Sequence, residues 1–240
     1  MSNSLPFHYQ IKRSPKASRV RIVVSHNRVE VVAPLKVAEL SVHQFVSAKQ
    51  DWIQQALEKI AEKTNSKLAQ DPKIYQAGAE ILYRGLVQRL RVKASALKKI
   101  SIEFDDTLTA YVPVALLATE NSDAIKKALE QWLKKQAKHE VEQIVQRWVL
   151  EQAFKPNVVR IKAQKSRWGS CGIHNDININ WLLIMAPPEV LEYVVVHELC
   201  HLKIRNHSKL FWQLVAKYLP AYQEQRLWLK KHGAELMQGI

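Results

Sequence analysis

The sequence predicts an α+β fold: an N-terminal β-rich region with one long helix, followed by a second long helix and a mainly helical C-terminal half. Three observations point there. Basic and apolar residues alternate at period two around Arg19–Val24, Arg89–Lys93 and Val159–Ala163, the repeat of strands with one solvated face. Apolar residues recur at helical spacing from Glu39 to Lys63 and from Asp123 to Glu151. The chain shows no internal repeat, which argues against a solenoid or propeller.

In chain order, Val20–Val24 and Val29–Val32 read as a hairpin around Ser25-His26-Asn27. A helix over Glu39–Lys63 follows Pro34, its buried stripe being Leu40, Phe45, Trp52, Ile53, Ala56 and Ile60. The polar stretch Thr64–Gln76, with Asp71-Pro72, reads as a loop. Ile81–Lys93, Ile100–Phe104 and Leu108–Val112 are strands, with Asp105-Asp106 as a turn. The helix Asp123–Glu151 buries Ile125, Leu129, Trp132, Val141, Ile144, Val145 and Trp148. Strands Val158–Ala163 and Ile177–Leu183 come next. A helix then runs from Pro188 to about Arg205, with proline in its first turn and Glu189 and Glu192 complementing the N-terminal dipole. The expected division is residues 1–118 and 119–240.

Composition bounds the function. The chain has 240 residues, 47% apolar and 24% charged, a mix that can bury a core unaided. Its longest apolar run, Trp181–Ala186, is far short of the roughly 20 residues of a membrane helix, so no membrane partner is expected. Two cysteines, Cys171 and Cys200, are too few for a disulfide framework, and with no secretory leader this predicts a cytoplasmic protein. A net charge of +14, spread along the chain, attracts an anionic partner such as nucleic acid or nucleotide to the basic strands. A solvated sheet face explains the same cations without any partner.

The chemistry lies in His197-Glu198-Leu199-Cys200-His201. Residues four apart on a helix lie about 40° apart around its axis, so both imidazoles leave one face and can hold one divalent ion, zinc above all. Glu198 then flanks the ion, placed to take a proton from water. Val194-Val195-Val196 buries this helix, and buried imidazoles need a partner. An open zinc site takes a third protein ligand. His207 is the nearest candidate, and Glu224 and Glu235 are rivals. A continuous helix would carry His207 to the far side, so the helix must break. Asn206 offers a left-handed exit, and Asn206 or Ser208 a cap for a helix over Lys209–Tyr218.

Lys165-Ser166-Arg167-Trp168-Gly169-Ser170-Cys171, Asn180-Trp181-Leu182-Leu183, Pro187-Pro188-Glu189-Val190, Tyr193 through His201, and Asn206-His207-Ser208-Lys209-Leu210-Phe211-Trp212 together resemble the YgjP-like metallopeptidase family, related to SprT and Wss1 peptidase-like domains. The resemblance implies a zincin-like core, an active-site helix against a small mixed sheet, in residues 119–240. It further implies zinc held by His197, His201 and His207, with Glu198 as catalytic base. Cys200 stands where the family more often has alanine.

Glycine after Trp168 marks a bulge or a close backbone approach. A strand there could offer its edge to an extended peptide, with Arg167 and Ser170 as substrate contacts, while Trp168 packs under the active-site helix. Cys171 as a fourth ligand would close the site. Three functions follow: a zinc peptidase, a phosphoanhydride hydrolase acting on nucleoside triphosphates through the same site, and a basic nucleic-acid-binding module with a vestigial site.

Overall fold

A computed structural model describes residues 5–25, 28–68, 73–117 and 121–240. The chain divides into two units, Met1–Lys73 and Ile74–Ile240. In the first, β3 (Arg28–Ala33) is the central strand, pairing antiparallel with β2 (Arg21–Ser25) and parallel with β1 (Tyr9–Arg13). The β2–β3 pair is the expected hairpin; its His26-Asn27 turn lies outside the described residues. β1 has no counterpart in the sequence reading. The single expected helix is two, α1 (Glu39–Ser47) and α2 (Gln50–Leu68). At the break Lys49 N donates to Val46 O at 3.0 Å, an i→i−3 bond that tightens the turn, and no glycine or proline marks it. Val42, Val46 and Ile53 face the core, whereas Leu40 and Trp52, expected in the stripe, are 69% and 52% exposed.

The second unit opens with the hairpin of β4 (Glu80–Tyr83) and β5 (Leu86–Arg89), whose turn residues Arg84 and Gly85 both have positive φ, 53° and 78°. β6 (Arg91–Ser95), β7 (Ser101–Asp105) and β8 (Thr107–Pro113) form a sheet of order β6-β8-β7, followed by the short α3 (Val114–Leu117). The strand expected over 81–93 is therefore three strands, with left-handed backbone at Arg84 and Gly85 breaking the first from the second. Asp106, at φ 55°, makes the expected turn.

α4 (Ser122–Gln152) joins two cores. Ile125 and Leu129 pack with Ile81, Leu90, Leu108 and Val112, while Leu133, Ala137, Val141 and Trp148 pack into the C-terminal core. The boundary expected between 118 and 119 falls on residues outside the described set and inside the second unit. One helix shared by two cores gives no place for a division there.

β9 (Val158–Lys162), β10 (Gly169–Cys171) and β11 (Asp176–Asn180) form a mixed sheet of order β10-β11-β9, leaving β10 at an edge. The strand expected to reach Leu183 stops at Asn180, because Asn180 Oδ1 accepts from Leu182 N at 3.2 Å and starts a 3-10 helix, Trp181–Met185. Three helices complete the unit: α5 (Pro188–Cys200), α6 (Lys209–Tyr218) and α7 (Tyr222–Leu236). The architecture is α+β. Among the described residues no helix is long and apolar enough to cross a membrane.

Candidate metal centre

α5 is buried nearly all round, with Val195, Val196, Leu199 and Cys200 each 0% exposed. Each such aliphatic side chain contributes about 1.5–3 kcal/mol of burial, which holds the helix rigidly in the core. His197 lies in its last turn and His201 at its C-cap. The helix ends there because Leu202 N and Lys203 N turn to the carbonyls of Leu199 and Cys200, both at 3.0 Å, in i→i−3 bonds. The break is thus earlier than the helix to Arg205 that the sequence suggests. Asn206 is absent from the positive-φ residues, so it provides no left-handed exit; its Oδ1 instead accepts from Ser208 N at 3.2 Å. Ser208 occupies the N-cap position of α6 without a side-chain capping bond.

This turn brings His207 back over α5. His207 Nε2 lies 3.0 Å from His197 Nε2 and 3.2 Å from His201 Nε2. The three form a cluster whose ligand atoms all fall within 4.8 Å of one another, with His201 buried, His197 half-buried and His207 exposed, so one side of the cluster meets solvent. Glu224, Glu235 and Cys171 do not belong to any such cluster among the described residues.

His201 Nδ1 lies 3.0 Å from Ile204 O, a group that only accepts, so Nδ1 carries the hydrogen and Nε2 presents a lone pair to the cluster. Nitrogens converging this closely are held by an N–H hydrogen shared between two rings or by a cation among all three. The His197 imidazole is pushed down to about 3, by burial first and then by His201, His207 and Arg226. Its Nδ1 is buried without a hydrogen-bond partner. A buried neutral imidazole with its other nitrogen aimed at two more suits a metal ligand, and the set fits a divalent ion. Phe211, fully buried on α6, is the floor beneath all three rings, at centroid distances of 4.9, 4.4 and 4.9 Å.

Glu198 is 6% exposed, and burial pushes its carboxyl up to about 8, against the pull of Arg167. Its neighbour across the gap is Gly169 of β10: a Cβ there would stand 2.6 Å from Glu198 Oε1 and 2.7 Å from its Cγ. The glycine after Trp168 is therefore a close approach rather than a bulge. Trp168 packs against α7, where a Cβ on Gly233 would meet its ring at 3.2 Å. Ser170 Oγ lies 3.4 Å from Asn178 Nδ2 across the β10–β11 pair. Cys200 is buried and its thiol pushed up to about 12, inert and away from the cluster.

Several residues to which the sequence reading gave no role at the site complete the surroundings. Asn180, 0% exposed, donates from Nδ2 to Gln164 O at 2.8 Å and Arg167 O at 3.1 Å, holding the segment before Gly169. Arg205 donates to Gly172 O at 2.7 Å, to Cys171 Sγ at 3.3 Å and to Asn175 Oδ1. It ties the turn between His201 and His207 to the β10–β11 hairpin. Tyr193, one turn before His197, was legible from its i, i+4, i+8 relation to the two histidines. Arg226 was not, since it arrives from α7.

No solved structure matches this chain. A stretch of 58 residues is 40% identical to the UTP pyrophosphatase of Escherichia coli (strain K12), covering 22% of this chain and spanning 35% of that relative's length. Residues 18–232, nearly the whole chain, match the family described as YgjP-like, metallopeptidase domain. With three convergent imidazoles and a buried carboxyl in its C-terminal half, a fold suited to metal-dependent hydrolysis, the chain belongs to the YgjP-like metallopeptidase family.

Proposed function

We propose that this protein is a zinc-dependent hydrolase of peptidase type with a zincin-like core, in which His197, His201 and His207 hold the metal and Glu198 is the catalytic base. The observation that carries it is the approach of His207 Nε2 to within 3.0 Å of His197 Nε2 and 3.2 Å of His201 Nε2, beside a buried carboxyl. Nitrogens about 2.0–2.1 Å from a tetrahedral zinc stand about 3.3 Å apart, close to that spacing. When bound, zinc supplies Lewis acidity that polarises the scissile carbonyl and acidifies water.

The chain's own residues do the rest. Glu198 takes the proton of the attacking water on a carboxylate oxygen and returns it to the leaving nitrogen. Its burial raises its affinity for that proton, and Gly169 leaves the room in which it is held. The Ile204 carbonyl keeps His201 in the tautomer whose Nε2 faces inward. An extended peptide fits the free edge of β10, within reach of Arg167 and Ser170.

A second reading, phosphoanhydride hydrolysis of a nucleoside triphosphate at the same centre, is favoured by the partial match to a UTP pyrophosphatase. Metal analysis with two variants tests the centre. Wild type should carry close to one zinc, and His207→Ala should lose most of it. Glu198→Gln should keep its zinc and lose at least about 10²-fold in turnover. Undiminished zinc in His207→Ala sinks the three-histidine centre. Peptide and UTP, assayed side by side, separate the two substrate readings.

A further inference from the structure

Two donors stand beside the histidines with nothing to donate to. Tyr193 sets its ring edge-on to His197 at 5.9 Å. The residue is 5% exposed, yet its hydroxyl makes no hydrogen bond among the described residues and is not sealed from solvent. Arg226 lies over the Trp212 ring, 4.5 Å from its centre, and that ring is 5.6 Å from both His197 and His207. Its exposed guanidinium forms no hydrogen bond or ion pair among the described residues. Other arginines are committed elsewhere, Arg205 to the β10–β11 hairpin, Arg147 to Glu192 and Arg84 to Glu140, while Arg167, exposed on the Glu198 side, shares with Arg226 the lack of a side-chain partner among the described residues. The charge of Arg226 reaches both Tyr193 and His197.

A free guanidinium next to a cation-holding cluster is electrostatically unfavourable on its own. An anionic oxygen group touching both turns that repulsion into two attractions. A guanidinium offers paired N–H groups matched to a carboxylate or phosphate, and a tyrosine hydroxyl adds a third donor.

We propose that Tyr193 and Arg226 form an anion subsite beside the three histidines, which binds an oxyanion of the substrate, a phosphate or a terminal carboxylate. The proposal rests on the metal centre described above and adds to it the charge of what that centre accepts. It orients the substrate through a group away from the scissile bond.

Calorimetric titration of zinc-loaded Glu198→Gln protein tests this without turnover. At 0.15 M salt, where surface charges are screened beyond about 8 Å, two probes are used: inorganic tripolyphosphate, and a short peptide with a free C-terminus against its C-terminal amide. Adding Arg226→Gln should weaken tripolyphosphate, or abolish the preference for the free carboxylate, by about tenfold or more, and Tyr193→Phe by about threefold. Arg91→Ala, exposed on β6, is the control and should change neither by more than about twofold. The arm that responds identifies the source of the anion. Affinities unchanged in both arms overturn the proposal. Should Arg226→Gln fail to fold, Arg226→Lys, which keeps the charge but loses the fork, must still bind more weakly than wild type. Zinc content read on the same samples separates the two ideas: intact zinc with unaltered anion binding rejects the subsite alone, and absent zinc in Glu198→Gln rejects the centre.

Discussion

A methyl group at position 169 would fall 2.6 Å from Glu198 Oε1. Glu198 is 6% exposed and packed in the wall of α5, so its carboxylate cannot swing clear at small cost. Gly169→Ala should therefore displace the carboxylate, and displacement of about 1 Å lowers turnover by about 10²-fold. Zinc content should stay as in wild type, since the three atoms nearest to a Cβ at position 169 all belong to Glu198; loss of zinc together with activity would refute this account. Gly233→Ala makes the contrast. Its Cβ would press on the Trp168 ring at 3.2 Å, so it should lower the unfolding midpoint with less effect on turnover.

Elements meet through a few polar ties. Asp176, at the start of β11, accepts from Arg160 Nη1 and Asn157 Nδ2, both at 2.8 Å, and pins the parallel β9–β11 pair at one end. The Arg160 and Asn157 hydrogen bonds hold its carboxyl below the ordinary value of 3.8. A depressed folded-state pKa stabilises fully above the unfolded value and ceases to as pH falls through the folded one. Thermal midpoints measured from pH 5 to 2 should therefore fall less steeply for Asp176→Asn than for wild type. An identical acid limb would deny the tie any role. Arg205 makes the other junction, between the His201–His207 turn and the β10–β11 hairpin. Because it braces the turn that carries His207, Arg205→Ala should weaken zinc binding by about tenfold, read by competition with a chelator.

Across the whole molecule, every residue assigned to the centre lies in Ile74–Ile240, and each unit has its own core. A chain beginning at Ile74 should fold, bind zinc as tightly as the full chain within about threefold, and keep Glu198-dependent turnover toward a small substrate. Failure of zinc binding in a folded 74–240 chain would assign the first unit a part in the centre. The basic residues of β5, β6 and β9 point to solvent, as their period-two pattern requires.

Periodicity and local chemistry were enough for the α+β class, for α4 almost to the residue, and for the pairing of His197 with His201, because each depends on side chains a turn or a pleat apart. The splitting of the first helix, the end of β11 at Asn180 and the early stop of α5 were not legible, since each follows from one or two hydrogen bonds rather than from a pattern. Spacing alone left the residue that joins the two histidines open between His207 and two distant glutamates, while the family resemblance implied His207. The turn after His201, braced by Arg205 against a strand pair thirty residues upstream, is what brings His207, and neither glutamate, beside them. Gly169, Arg226 and Phe211 reach the centre from other elements altogether, and only packing in three dimensions brings residues so far apart in the chain into the same few ångströms.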